Sequence, residues 1–138
     1  MPHHAAQLTI ATTPRSLTEI TREVAQWLAA THITTGLVTV FCRHTSASLL
    51  ITENASSAVW RDVLAWLDRQ APEGPLYEHD DEGGDDMPAH LKAVLTGASV
   101  QVPVLGGRLM LGTWQGIFLA EHRAAPHRRN IVLQCSGD

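Results

Sequence analysis

The chain has 138 residues, 44% of them hydrophobic and 17% charged, with a formal net charge of −4. That length fits one domain around one core, and the hydrophobic share excludes wholesale disorder. The negative balance excludes a general nucleic-acid binder, which needs a basic footprint. No apolar run approaches the roughly 18 residues of a membrane span, so no membrane association is expected. Met1-Pro2-His3-His4 lacks the basic-then-apolar layout of a secretory signal, and His3 and His4 are given no function. Cys42 and Cys135 are too few to staple a small fold, which points to a cytoplasmic location.

In chain order, Gln7 to Thr12 alternates polar and apolar residues, the period of a half-buried strand. Pro14 ends it. Ser16-Leu17-Thr18-Glu19 reads as a capping box at a helix start, with Leu17, Ile20, Val24, Trp27 and Leu28 on one apolar face. Thr34-Thr35-Gly36 marks the turn out. Leu37 to Cys42 is rich in β-branched and aromatic residues, as in a sheet core. A second strand covers Ala47 to Thr52. Asn54 is the expected N-cap of a helix carrying Val59, Val63, Trp66 and Leu67.

Ala71 to Gly84, with two prolines, three glycines and many acids, is a loop long enough to form a rim or lid. Asp86-Met87-Pro88 opens a short helix, with Asp86 as cap and the proline tolerated in the first turn. Ser99 to Leu105 alternates again, and Gly106-Gly107 is a hairpin signal. Arg108 to Leu111, Trp114 to Glu121 and Asn130 to Cys135 complete the strands. The order is that of an α+β domain rather than an alternating α/β one.

No P-loop, GxGxxG, HExxH or paired CxxC occurs. The candidates are polar residues at element ends. His44-Thr45-Ser46 interrupts two apolar strands, either as a backbone-bonded turn or as part of a site. Cys42 and His44, two apart, share a strand face and could bind zinc, although a lone cysteine is more often a small core residue. Asp86 and His90, four apart, share a helix face, where a carboxylate can fix an imidazole tautomer. The alternative is a simple cap beside an exposed histidine. Lys92 reads as solvated.

Gly112-Thr113-Trp114-Gln115-Gly116 offers exposed backbone amides for an oxyanion and a tryptophan face for a flat ring, or else a strand entry with a packed tryptophan. Glu121-His122-Arg123 ends a strand with its charges on alternating faces, and Arg123 could hold phosphate. His127-Arg128-Arg129 reads as a solvated turn.

Three long segments, HTSASLLITENAS (44–56), YEHDDEGGDDMPAHLKA (77–93) and GRLMLGTWQGIFLAEHR (107–123), together resemble the YjbQ family, sometimes described as secondary thiamine-phosphate synthases. The intervening TGASVQVPV (96–104) and the strand from Gly36 to Phe41 also look familial, so the resemblance spans about residues 6 to 136 of a single 1–138 domain. It implies an α+β fold, an antiparallel β-sandwich flanked by helices, assembled as a homotrimer. It also implies a site near subunit boundaries that gathers His44, Thr45, Ser46, Asn54, Asp86, His90, Trp114, Gln115 and His122. A bound metal or anion is expected there. Cys42 lies outside that pattern.

The implied activity joins a pyrimidine methyl pyrophosphate to a thiazole phosphate. His44, Thr45, Ser46, Asp86, His90 and His122 would be its catalytic set. Asn54, Lys92, Gly112, Thr113, Trp114, Gln115 and Arg123 would bind substrate. His44, His90 and His122 would hold a divalent ion, magnesium or zinc. The chain is too short for the (β/α)₈ barrel of at least about 200 residues used by the main thiamine-phosphate synthases, so the activity would be convergent and could be secondary. Two other functions stand beside it: a metal-dependent hydrolase or other enzyme acting on a small phosphorylated metabolite, and a non-catalytic ligand-binding trimer.

Overall fold

The computed structural model describes all 138 residues. Strands β1 (His3–Ala11), β3 (Thr35–Cys42), β5 (Ser99–Leu105), β6 (Arg108–Leu109) and β8 (Arg128–Gly137) form one sheet in the order β1-β8-β3-β5-β6. A smaller sheet has the order β2-β7-β4, from β2 (Ser16–Glu19), β4 (Ala47–Glu53) and β7 (Gln115–Glu121). Every ladder is antiparallel. Helices α1 (Thr21–Thr31), α2 (Ser57–Gln70) and α3 (Asp86–Thr96) flank the sheets, as expected for an α+β chain. None is long and apolar enough to cross a membrane.

The core lies between the sheets and under α1. Val38, Val40, Ile131 and Leu133 from the large sheet meet Leu49, Ile117 and Leu119 from the small one, with Val24 and Leu28 from α1. Because strand side chains alternate, Ile117, Leu119 and Glu121 face this core. Phe118, Ala120 and His122 face the other way, and the Phe118 ring lies 5.4 Å from that of Trp60 on α2. This alternation decides where each polar residue at the end of β7 goes.

Several local expectations are corrected. Ser16–Glu19 is strand β2, paired with Phe118 to Glu121 of β7, so Leu17 belongs to a sheet and α1 begins only at Thr21. Pairing beside an apolar central strand outweighs the local capping signal. Asn54 does not cap α2: Ser56 holds that position, and the Glu53 carboxylate accepts the amides of Ala55 and Ser56. Asn54 instead donates to the carbonyls of Thr113 and Gln115. Likewise Asp85, not Asp86, precedes α3. Gly106 and Gly107 both take positive φ, 60° and 74°, in the predicted tight hairpin, but β6 stops at Leu109. The basic run 127–129 is no solvated turn, since Arg128 and Arg129 begin β8 and Arg129 is buried.

Candidate functional site

The first turn of α3 carries the centre of the site. Neither acid there caps the helix; both are held by Arg123. Its Nε donates to Asp85 Oδ2 (2.9 Å) and its Nη1 to Asp86 Oδ1 (2.8 Å). Its Nη2 donates to the Glu82 carbonyl at 3.0 Å, tying in the acidic loop. The Ala124 amide adds a second bond to Asp85. The Arg123 hydrogen bond holds the Asp85 carboxyl down at about 2, and in return Asp85 raises the Arg123 guanidinium.

Asp86 is 4% exposed. Burial opposes its charge, but the hydrogen bond to His79 and the charges of His90 and Arg123 keep its carboxyl below the usual range. With Oδ1 taken by Arg123, Oδ2 lies 2.9 Å from His79 Nε2 and 3.1 Å from His90 Nε2. The bond to Asp86, helped by Asp81, raises the His79 pKa. His90 Nδ1 lies 2.8 Å from the Thr45 carbonyl. A carbonyl only accepts, so that nitrogen carries the proton. A neutral His90 so bonded would turn a bare Nε2 lone pair toward a carboxylate oxygen. A proton or a metal cation between them resolves that clash.

His79, Asp86 and His90 each offer one ligand atom, all within 4.8 Å of one another. Two imidazole nitrogens and one carboxylate suit zinc or another borderline transition ion, and suit magnesium poorly because it prefers oxygen. The cluster stands at the lip of an open cleft of about 640 Å³. Ala47, Met87, Ala93 and Val94 give it an apolar lining, and His44 and Thr45 add polar groups beside the cluster. A cavity of this size and lining takes a small ring compound, with the polar rim fixing its orientation.

Of the three histidines expected to share a metal, only His90 stands in this cluster. His44 Nε2 accepts the Asn130 amide at 2.8 Å, so its proton sits on Nδ1. Burial, and then the Arg129 charge, lower its pKa and keep the ring neutral. It offers the cleft an N–H donor rather than a ligand lone pair. His122 lies behind α3, 2% exposed, with Nε2 2.8 Å from Ser48 Oγ. Burial, and then the Lys92 charge, lower its pKa to about 4.

Other expected residues are also spent elsewhere. Lys92 is not solvated: it is buried, with its ammonium on Asp68. Arg123 is no free phosphate ligand, because three of its nitrogens are bound. Ser46 Oγ accepts from Arg129, whose guanidinium also binds Glu121. Burial opposes the Glu121 charge, but Arg129 and Thr12 outweigh it and lower the carboxyl pKa. Asn54 and the loop Gly112, Thr113, Trp114, Gln115 sit at the far end of β4, whose six steps separate them from the cleft by about 20 Å. Trp114 is exposed there, and Gln115 Oε1 accepts the Gly112 amide. Cys42 is buried, and burial raises its thiol. His79 is the residue the sequence reading missed. Its signal was a histidine inside the acidic loop, seven positions before Asp86.

Residues 6–138 match the profile of the family described as UPF0047 protein YjbQ-like. The chain is 46% identical over 136 residues to the UPF0047 protein sll1880 of Synechocystis, covering 98% of this chain and 92% of that one. It is 41% identical to the UPF0047 protein YjbQ of Salmonella typhimurium, covering 95% and 96%. Among solved structures, a YjbQ/UPF0047 protein from Clostridium acetobutylicum superimposes with a TM-score of 0.89 at 34% identity, over 95% of this chain and 99% of that one. A YbjQ-like protein of unknown function from Sulfolobus solfataricus gives 0.89 at 26% identity, over 99% and 100%.

Proposed function

Since this chain belongs to the YjbQ-like UPF0047 family, we propose that it is a metal-assisted transferase of the thiamine-phosphate-synthase type. A pyrimidine methyl pyrophosphate and a thiazole phosphate are its substrates. In that reaction the thiazole nitrogen bonds to the pyrimidine methylene carbon as the carbon–oxygen bond breaks, and pyrophosphate leaves with the electron pair. The observation that carries the reading is the His79–Asp86–His90 cluster at the lip of an apolar, ring-sized cleft.

A divalent ion held by these three residues would supply positive charge toward the leaving pyrophosphate. The chain's own residues do the rest. Arg123 takes one oxygen of Asp86 and so aims the other. The Thr45 carbonyl fixes the His90 ring. His44, neutral and protonated on Nδ1, donates a hydrogen bond to an anionic oxygen. Met87 and Val94 give a flat ring an apolar surface. The homotrimer implied by the family resemblance would be the means of bringing Trp114 and Gln115 of a neighbouring copy toward the cleft.

A second reading has its own support. The cleft is open to water, whereas a transfer through a cationic carbon needs water kept out. That favours a hydrolase acting on a small phosphorylated metabolite. The deciding experiment supplies the two thiamine precursors and zinc, manganese or magnesium to the purified chain and follows thiamine phosphate by mass spectrometry. Folded His44→Ala and His90→Ala variants run beside it. Product that vanishes in both supports the transferase. No product, with phosphate released from other phosphorylated substrates, replaces it with the hydrolase.

A further inference from the structure

The cleft does not end at His44. An arm of about 400 Å³ continues past His44, Thr45 and Ala98 to Phe41 and Arg43. We propose that this arm is a second anion subsite, where Arg43 holds the phosphate of a small phosphate monoester whose flat ring lies on Phe41. It deepens the substrate reading above, because the metal cluster would hold one anionic group and the arm another.

Lys92 and Arg123 are bound to acids, and neither lines the cleft. Arg43 lines the arm, and its side-chain partner is the neutral Gln7 Oε1 at 3.0 Å. Its charge is therefore uncompensated, and its other N–H groups are free for a planar, two-pronged bond to phosphate. No aspartate or glutamate lines the arm. His44 adds an N–H from Nδ1, since its Nε2 accepts the Asn130 amide.

The backbone there is fixed: Cys42 N donates to the Ala98 carbonyl and Arg43 N to that of Asn130. Phe41, paired with Ser99 and Val132, is 45% exposed and lines the arm, so its ring surface is open to a ligand there. Residues 41 and 43, two apart in extended chain, project to one side. Ring surface and cation therefore stand together.

Calorimetric titration of the full-length protein with phenyl phosphate, and separately with inorganic phosphate, tests this. Both titrations are run with zinc and again after chelation. Arg43→Gln is expected to weaken phenyl phosphate about tenfold or more in the chelated protein, with zinc affinity and thermal midpoint unchanged. Phe41→Ala weakens phenyl phosphate and leaves inorganic phosphate as it was. Phenyl phosphate binding that is the same in Arg43→Gln and the parent overturns the subsite, even if zinc binds normally. Arg43-dependent binding in a protein that binds no zinc keeps the subsite and sinks the metal-assisted reading alone.

Discussion

The two faces of α3 treat polar residues in opposite ways. On the front, His79, His90 and Asp86 Oδ2 converge beside an open cleft and leave ligand positions available. On the back, Lys92 meets Asp68, His122 meets Ser48, and beyond them Glu121 meets Arg129, with these back-face bonds turned inward. Two positions, about half a helical turn, separate His90 from Lys92. A polar residue thus marks chemistry only when its hydrogen-bonding capacity is not already used by the fold.

The sharpest way to break that contrast is to remove one charge from each face. Glu121→Ala leaves Arg129, 5% exposed, without its carboxylate. It should cost about 3–5 kcal/mol of stability, read from the urea midpoint, because an unpaired buried charge is left behind. His90→Ala should shift that midpoint little and cut zinc affinity about a hundredfold or more. The reverse pattern would end the division between structural and functional faces.

Titration sharpens the same contrast. His122 is lowered from 6.5 to about 4 by burial, so the unfolded chain takes up a proton in that window while the folded one does not. Stability therefore falls as pH drops from 6.5 to about 4, by roughly 3 kcal/mol from this residue. Glu121, whose carboxyl is lowered below 4.5, contributes stability above 4.5 that is lost as pH falls through its folded value. His122→Gln, which can still donate to Ser48, should flatten the upper part of the stability–pH curve. An unchanged slope would mean that another group titrates there.

Arg123→Lys tests the bridge between the faces and the acidic loop. Lysine cannot reproduce the fork that binds Asp85 and Asp86 together. Zinc affinity should fall about 10–100-fold, as for other residues that orient a metal ligand. In Arg123→Ala, which vacates the fork between Asp85 and Asp86, added guanidinium should restore part of that affinity, and a merely structural loss would not respond.

Much of this was legible in the sequence and some could not be. The strands from Leu37, Ala47 and Ser99 and the Gly106-Gly107 hairpin follow from alternation and turn chemistry, which are local. Asp86 and His90 were found because four residues is one helical turn. Ser16–Glu19 misled because its strand partner lies a hundred residues away. Lys92 and Arg129 misled for the same reason: their acids, Asp68 and Glu121, come from other elements, and no spacing rule reports a pair across the fold. His79 belongs to an irregular loop, where periodicity gives no face at all, and the contacts that tie that loop into place, Arg123–Glu82, Arg15–Glu73 and His79–Asp86, reach across elements.

The smallest effect is expected at Thr96, and it tests the direction of the back-face network. Thr96 Oγ1 donates its one proton to the Lys92 carbonyl at 2.8 Å. The Ser48 hydroxyl, 2.5 Å away, must then donate to Thr96. Ser48 has no proton left for His122, so His122 Nε2 must be the donor to Ser48, and its Nδ1 carries the lone pair. Thr96→Val removes the acceptor for Ser48 while keeping the shape of the side chain. Freed, the Ser48 hydroxyl can turn to donate to His122 Nε2, moving the imidazole proton to Nδ1. The stability cost should be only about 1 kcal/mol, and zinc affinity on the front face should not change. Imidazole ¹⁵N shifts at neutral pH read the outcome directly: Nε2–H in the parent, with Nδ1–H appearing in Thr96→Val. Nδ1–H already present in the parent would reverse the network and make His122 Nε2 the acceptor of the Ser48 hydroxyl.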